Sequence, residues 1–227
     1  MADIQNFDKL NLVKRRSLPY REYYGDMQLT EKQRKDRYKL ALMIEDYIAI
    51  FFDMIRSGMA MNILNEARVK QELTYSLYDL LADEGYFASD NELDKYIADT
   101  VNNTYQSTVE NMINHPNEYD YKGDEPYWVS EDRAIFIAEN EANTLYNSKE
   151  FIEAKEAGYT HKIWVAYNDN RVRETHIQTN GAKIPIDSYF DVGVARMLFP
   201  KDVTSDLSTG ADHPEEVVNC RCTIKFV

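Results

Sequence analysis

A chain of 227 residues with 44% hydrophobic and 29% charged side chains has the composition of a globular protein and the length for one or two domains. Its net charge of −13 sets the molecule as a whole against nucleic acid and anionic membrane surfaces. No apolar run approaches the roughly 18 residues of a membrane span, since even the richest stretch, Leu40 to Ile55, is broken by Glu45, Asp46 and Asp53, and the N-terminus MADIQNFDKLNLVKRR lacks the apolar centre of a signal peptide. The expected place of the protein is the cytosol, or a particle assembled there.

The charge is uneven. Residues 1–40 hold ten Lys/Arg against six acids, and the remainder holds 16 against 33. A basic leading segment, Lys9 to Lys39, on an acidic body suits contact with DNA or with an acidic partner, or else is a solvated helix face behind a frayed terminus. Residues 1–29 contain Pro19, the aromatics Tyr20, Tyr23 and Tyr24, and no sustained period, so they read as an extended arm that packs on something. Seventeen tyrosines, Tyr47 among them, suit either protein–protein contact or half-buried packing.

Helical signals begin at Thr30-Glu-Lys-Gln33, a capping box, and Leu40, Ile44, Ile48, Phe51, Phe52 and Ile55 follow at helical spacing, with Gly58 as the expected stop. A second helix is predicted from about Ala60 to Ala82. A third opens at Ser89-Asp-Asn-Glu92 and closes at His115-Pro116, since the residue before Pro disfavours the α region. Residues 116–129 are polar and turn-rich and mark the candidate boundary between a helical region, 30–115, and a second unit, 130–227. Ser130 caps a fourth helix from Glu131 to about Ala157, ended by Gly158. Beyond it Lys162 to Tyr167 is β-prone, Asn180-Gly181 is a turn signal, Lys183 to Ile186 is a short strand, and Val217-Val218 with Thr223 to Val227 reads as a closing strand. The predicted class is α+β: a helical N-terminal half, then a long helix packed on a small mixed β module.

The informative residues lie between Arg133 and Cys222. They run Arg133-Ala134, Ile137-Ala138, Glu141 and Asn147, then Gly158-Tyr-Thr-His-Lys162-Ile-Trp164, then Asp169-Asn-Arg171-Val172-Arg173-Glu-Thr-His176 with Asn180-Gly181, and finally Asn219-Cys220-Arg221-Cys222. In order and spacing this series resembles the Mu F-like family, the minor head or head-morphogenesis proteins of tailed bacteriophages. One departure is visible: His213-Pro214, which many members place just before Cys-Arg-Cys, is separated from it here by Glu215, Glu216, Val217 and Val218. The resemblance implies a minor capsid protein with no catalytic residues. It would act in head morphogenesis near the portal and in DNA packaging or ejection, with portal, scaffold or major capsid protein as partners. It also implies residence in the phage head after assembly in the host cytoplasm. Some relatives carry toxin domains after the paired cysteines; five residues follow Cys222, so none is expected here.

Read as chemistry, Asp169 suits the N-cap of a short helix through Arg171 and Arg173, where two guanidinium groups oppose the helix dipole. Each arginine therefore needs a specific acceptor, with Glu141, Glu215, Glu216 or the carbonyls of a helix C-terminus as candidates. Trp164 is expected to plug the core between the fourth helix and the sheet. Cys220 and Cys222 are too close in sequence for an unstrained bridge. With His176 they offer three of the four ligands of a zinc site, His213 or Asp169 completing it. The other reading makes them buried small hydrophobes, with His176 bonded to a backbone carbonyl. No Gly-x-Ser-x-Gly, P-loop, His-Glu-x-x-His or dinucleotide fingerprint occurs, and a Cys–His nucleophile pair this near the chain end is poorly placed for a cleft. The alternative to the head protein, from another class, is a metal-clipped nucleic-acid-associated protein carried in the virion and delivered with the genome.

Overall fold

Thr30 starts the first helix by the reciprocal bonds its sequence predicts. The Thr30 hydroxyl accepts from Gln33 N at 3.2 Å and Gln33 Oε1 accepts from Thr30 N at 2.8 Å, which satisfies two otherwise orphaned donors. In the computed structural model, which describes residues 27–120, 123–167 and 172–227, this helix (α1) runs Glu31–Ala60. Gly58 does not end it. Instead the chain turns two residues later, and a Cβ at Gly58 would stand 3.0 Å from Leu64 Cα, so the glycine is there for close approach. Helix α2 follows at Glu66–Leu81, capped by Asn65, and α3 at Asp90–Asn114, capped by Ser89 and stopped at His115.

The described residues between α3 and the next long helix bring the chain back on itself. Tyr119 bridges Pro126, the Asp120 carboxylate accepts from Asp124 N and Glu125 N, and Tyr127–Val129 makes a 3₁₀ turn that buries Val129. Helix α4, Glu131–Glu156, then packs along α1. It ends in a Schellman arrangement: Tyr159 N donates to Ala154 O, Gly158 N donates to Lys155 O, and Gly158 sits at φ 80°. One apolar cluster runs through all four helices and takes in Val129 of the intervening segment, from Met27 to Tyr167. Ile44, Ile48, Phe51, Phe52 and Ile55 are nearly inaccessible, and each such side chain contributes roughly 1.5–3 kcal/mol, so packing holds α1 more than its intrinsic propensity does.

The C-terminal module is built on β1, His161–Val165, which pairs antiparallel with β2, Lys183–Pro185, on one side and with β5, Thr223–Phe226, on the other. A separate hairpin, β3 (Phe190–Val192) and β4 (Ala195–Met197), turns through Gly193-Val194 and has no counterpart among the predicted elements. Two short helices complete it: α5, Glu174–Thr179, and α6, Pro214–Val217. Val217 therefore ends a helix rather than opening the closing strand. The Asn180-Gly181 signal likewise marks the exit from α5 into β2, with Gly181 N donating to Trp164 O at 2.8 Å. The class is α+β, as predicted. No helix among the described residues is long and apolar enough to cross a membrane.

Candidate functional site

A helix facing a core is expected to be apolar on that face, yet α4 buries Asn143 and Asn147 there, one turn apart. The reason is Arg37 on α1, whose side chain is wholly buried. Its Nε donates to Asn143 Oδ1 at 3.2 Å and its Nη2 to Asn147 Oδ1 at 3.3 Å. Nη1 and Nη2 grip the Glu150 carboxylate at 2.7 and 3.0 Å. The amide nitrogens face the other way. Asn143 Nδ2 donates to Cys220 O at 3.2 Å, and Asn147 Nδ2 donates to Cys222 O at 3.2 Å and Pro200 O at 3.1 Å. One guanidinium thus orients two amides, and the amides hold the main chain of both cysteines. Arg37, Asn143 and Glu150 were outside the sequence-derived set. The legible signal was a polar 143-147-150 stripe on one helix face, and its partner 106 residues earlier was not legible.

At the other end of α4, Arg133 donates from Nη1 to Thr108 Oγ1 and Trp128 O, both at 2.6 Å, and from Nη2 to Ser107 Oγ at 2.8 Å. Its guanidinium lies 5.1 Å from the rings of Phe52 and Trp128, and burial pushes its pKa down to about 10. Glu141 accepts from Tyr96 Oη at 2.5 Å and from Asn140 Nδ2 at 3.1 Å. Of the acceptors expected for Arg173, the helix C-terminal carbonyl is the one it binds: it donates to Val218 O, the residue that caps α6. Arg173 is itself the N-cap residue of α5, which begins at Glu174; Asp169 and Arg171 lie outside the described residues. Asn219 takes a left-handed φ of 60° that turns the chain from α6 into the cysteines, and its N–H donates to Asn140 Oδ1. Arg221 stacks its guanidinium 3.7 Å from the Tyr167 ring centre. Gly181 has φ 79° with open space around it, so conformation and not crowding requires the glycine.

His176, Cys220 and Cys222 converge. His176 Nδ1 lies 3.3 Å from Cys222 Sγ and 3.5 Å from Cys220 Sγ, and the three donor atoms lie within 4.8 Å of one another. The far nitrogen, Nε2, is 3.1 Å from Glu216 Oε2, which also accepts from Thr175 Oγ1 at 2.8 Å. The predicted backbone carbonyl is thus replaced by a carboxylate, and Glu216 is a member of the site that sequence reasoning had assigned elsewhere. All four residues are buried, none more than 6% exposed. Trp164 meets His176 edge-on at 5.6 Å and Phe190 at 5.2 Å, inside the cluster that holds both thiols and the hairpin. The core nearest α4 is filled instead by Phe151, Ala154, Ile186 and Phe199. His213 is not part of the group: it is 31% exposed and its Nδ1 pairs with Glu215.

Electrostatically the four groups act together. Burial pushes the Cys220 thiol up, but hydrogen bonds from Cys222 and His176 and the imidazole charge outweigh it and hold Cys220 well below the ordinary thiol range. Cys222, bonded to that sulfur and buried beside it, is held well above. Burial opposes the charge on His176, but Cys220 and Glu216 raise its pKa above the ordinary value. A nucleophile–base–carboxylate order is present. All of these groups are buried in this structure.

Four of the five described basic residues of the leading segment have acidic partners. Lys32 pairs with Asp36, Arg34 and Lys35 with Glu31, and Arg37 with Glu150. Residues 9–26, including Tyr20, Tyr23 and Tyr24, lie outside the described residues.

The model of the family described as Phage Mu protein F like protein matches residues 100–225. The match begins inside α3, just ahead of the Ser107 and Thr108 hydroxyls that Arg133 binds. No curated protein and no solved structure matches the chain.

Proposed function

Since the chain belongs to the phage Mu F-like protein family, a family of phage head proteins, we propose that it is a minor head protein of a tailed phage that docks beside the portal during head morphogenesis and performs no catalysis. The family match over residues 100–225 carries this reading. The structure supports it by the use it makes of the matched polar residues. Arg133, Asn147, Arg173 and Asn219 each bond protein groups, and so act as internal staples. A rigid module of this kind suits a part that must present one fixed surface to an assembly. Portal, scaffold or major capsid protein is the partner this reading names, and the phage head is its location. The experiment is co-expression of the full chain with portal and major capsid protein, followed by isolation of particles and quantification of each chain by mass spectrometry. A few copies per particle, retained after salt washing and lost when the portal is omitted, are expected. Particles of normal composition that exclude the chain would overturn the proposal.

A further inference from the structure

Beyond its role in the head, we propose that His176 Nδ1, Cys220 Sγ and Cys222 Sγ bind one zinc ion, with Glu216 holding the imidazole from behind. Four observations converge on it. Two sulfurs and one imidazole nitrogen are the donor set that selects zinc among the common biological cations. Their spacing is already that of ligands. Zinc–sulfur and zinc–nitrogen bonds of about 2.3 and 2.0 Å at tetrahedral angles require N···S edges of about 3.5 Å, and the observed separations are 3.3 and 3.5 Å. Third, the Glu216 carboxylate sits on Nε2 at 3.1 Å. It keeps a proton on that nitrogen and turns the Nδ1 lone pair toward the sulfurs, as carboxylates behind metal-bound histidines do.

The fourth observation is preorganisation. Asn143 and Asn147 fix the Cys220 and Cys222 carbonyls, Asn219 supplies the turn, and Cys222 N lies 3.4 Å from Cys220 Sγ, where an N–H favours a thiolate. None of these contacts depends on the imidazole, so the ligand-bearing backbone is held whether or not a metal is bound. Binding replaces two protons of the Cys–Cys–His set by one divalent cation, leaving a neutral centre in a buried place. The set fills three positions of the ion, and no further His, Cys, Asp or Glu among the described residues joins the group. The ion would tie α5 to the segment before β5, 44 and 46 residues apart in sequence.

The test uses the full chain, purified without chelator and analysed for metals, then stripped and titrated with zinc or with cobalt as a visible substitute. One zinc per chain, a rise in Tm on zinc addition, and a near-ultraviolet thiolate-to-cobalt band are expected. His176→Ala and Cys222→Ala should abolish the band. Glu216→Gln should keep the band but weaken binding about 10–100-fold, the usual loss when a carboxylate behind a metal-bound histidine is removed. Should either cysteine or histidine variant fail to fold, the wild-type titration decides alone. Folded wild-type protein that purifies without metal, gives no cobalt band and keeps its Tm in zinc would overturn the proposal and leave a dry thiol–imidazole–carboxylate network.

Discussion

Arg37 Nη2 and Asn147 Oδ1 meet at 3.3 Å in the middle of the protein, joining the first helix to the fourth across 110 residues of sequence. From the same amide, Nδ2 continues to Cys222 O, so a bond made by the N-terminal half bears on the chain at Cys222. Because the guanidinium is wholly buried, the two amide oxygens it satisfies would otherwise be desolvated and unpaired, while Glu150 would keep only the bond from Gln33 Nε2 at 3.0 Å.

Removing either end of that link should therefore cost more than a surface hydrogen bond. Arg37→Met leaves the Glu150 carboxylate with Gln33 alone and strands two amide oxygens, and is expected to lower stability by about 3 kcal/mol. Asn147→Ala deprives two buried carbonyls and should cost about 2–3 kcal/mol. Urea unfolding of both single variants and the double variant measures their coupling, expected at about 1–2 kcal/mol. Strict additivity would show that the two residues do not act as one unit.

Arg133→Lys tests whether shape or charge matters at the α3–α4 junction. A lysine keeps the charge but replaces a fork with a single point donor, so the three bonds to Thr108, Trp128 and Ser107 cannot all be made. A loss of about 1.5–3 kcal/mol is expected, and amide exchange should accelerate at the C-terminal end of α3 more than in α2. Wild-type stability in the variant would reduce Arg133 to a replaceable cation.

Two glycines with the same sign of φ should respond differently. At Gly193 (φ 60°) an added Cβ would meet Glu216 Oε1 at 2.1 Å and Thr175 Cγ2 at 2.8 Å, whereas at Gly181 (φ 79°) nothing lies within 4 Å. Gly181→Ala should cost only the left-handed backbone penalty, about 1–2 kcal/mol. Gly193→Ala should cost more than that and should shift the His176 ring resonances, because Glu216 must move. Equal melting temperatures for the two variants would contradict this.

Lys162 makes a pH prediction. It is wholly buried on β1, its Nζ donating to Ile186 O at 2.6 Å, and burial pushes its pKa down from 10.5 to about 7. Between those values the unfolded chain holds the proton that the folded one releases, so this group's contribution to stability rises with pH from about 7 to 10.5. Below about 7 both states are charged and the full cost of burying the ammonium applies. Lys162→Met has no such titration. The stability of wild type relative to this variant should therefore climb from pH 7 to 10, by at most about 1.4 kcal/mol per pH unit. A flat or falling difference in urea midpoints would refute the assignment.

Local chemistry was legible wherever one segment determines its own conformation. The Thr30 capping box, the Ser130 cap, the stop at His115-Pro116 and the left-handed Gly158 are satisfied by neighbours within five residues, so their residue types alone state the geometry. Gly58 differs, because its constraint comes from Leu64 across a turn and not from a helix stop. The β3–β4 hairpin is not legible in the sequence because three-residue strands carry too little alternation to stand out.

The sequence by itself determined the α+β class, the approximate helix limits, and a spaced set of polar residues that identifies the family. Only the tertiary structure decided what those residues touch. Arg37 with Asn147, Glu216 with His176, and Arg173 with Val218 are pairs separated by 40 to 110 residues. Their encounter depends on how α1 packs on α4 and how the sheet closes, and that is set by the burial of many apolar side chains together. Periodicity marks a buried face but not the residue that covers it, so partners became known only once the core was assembled.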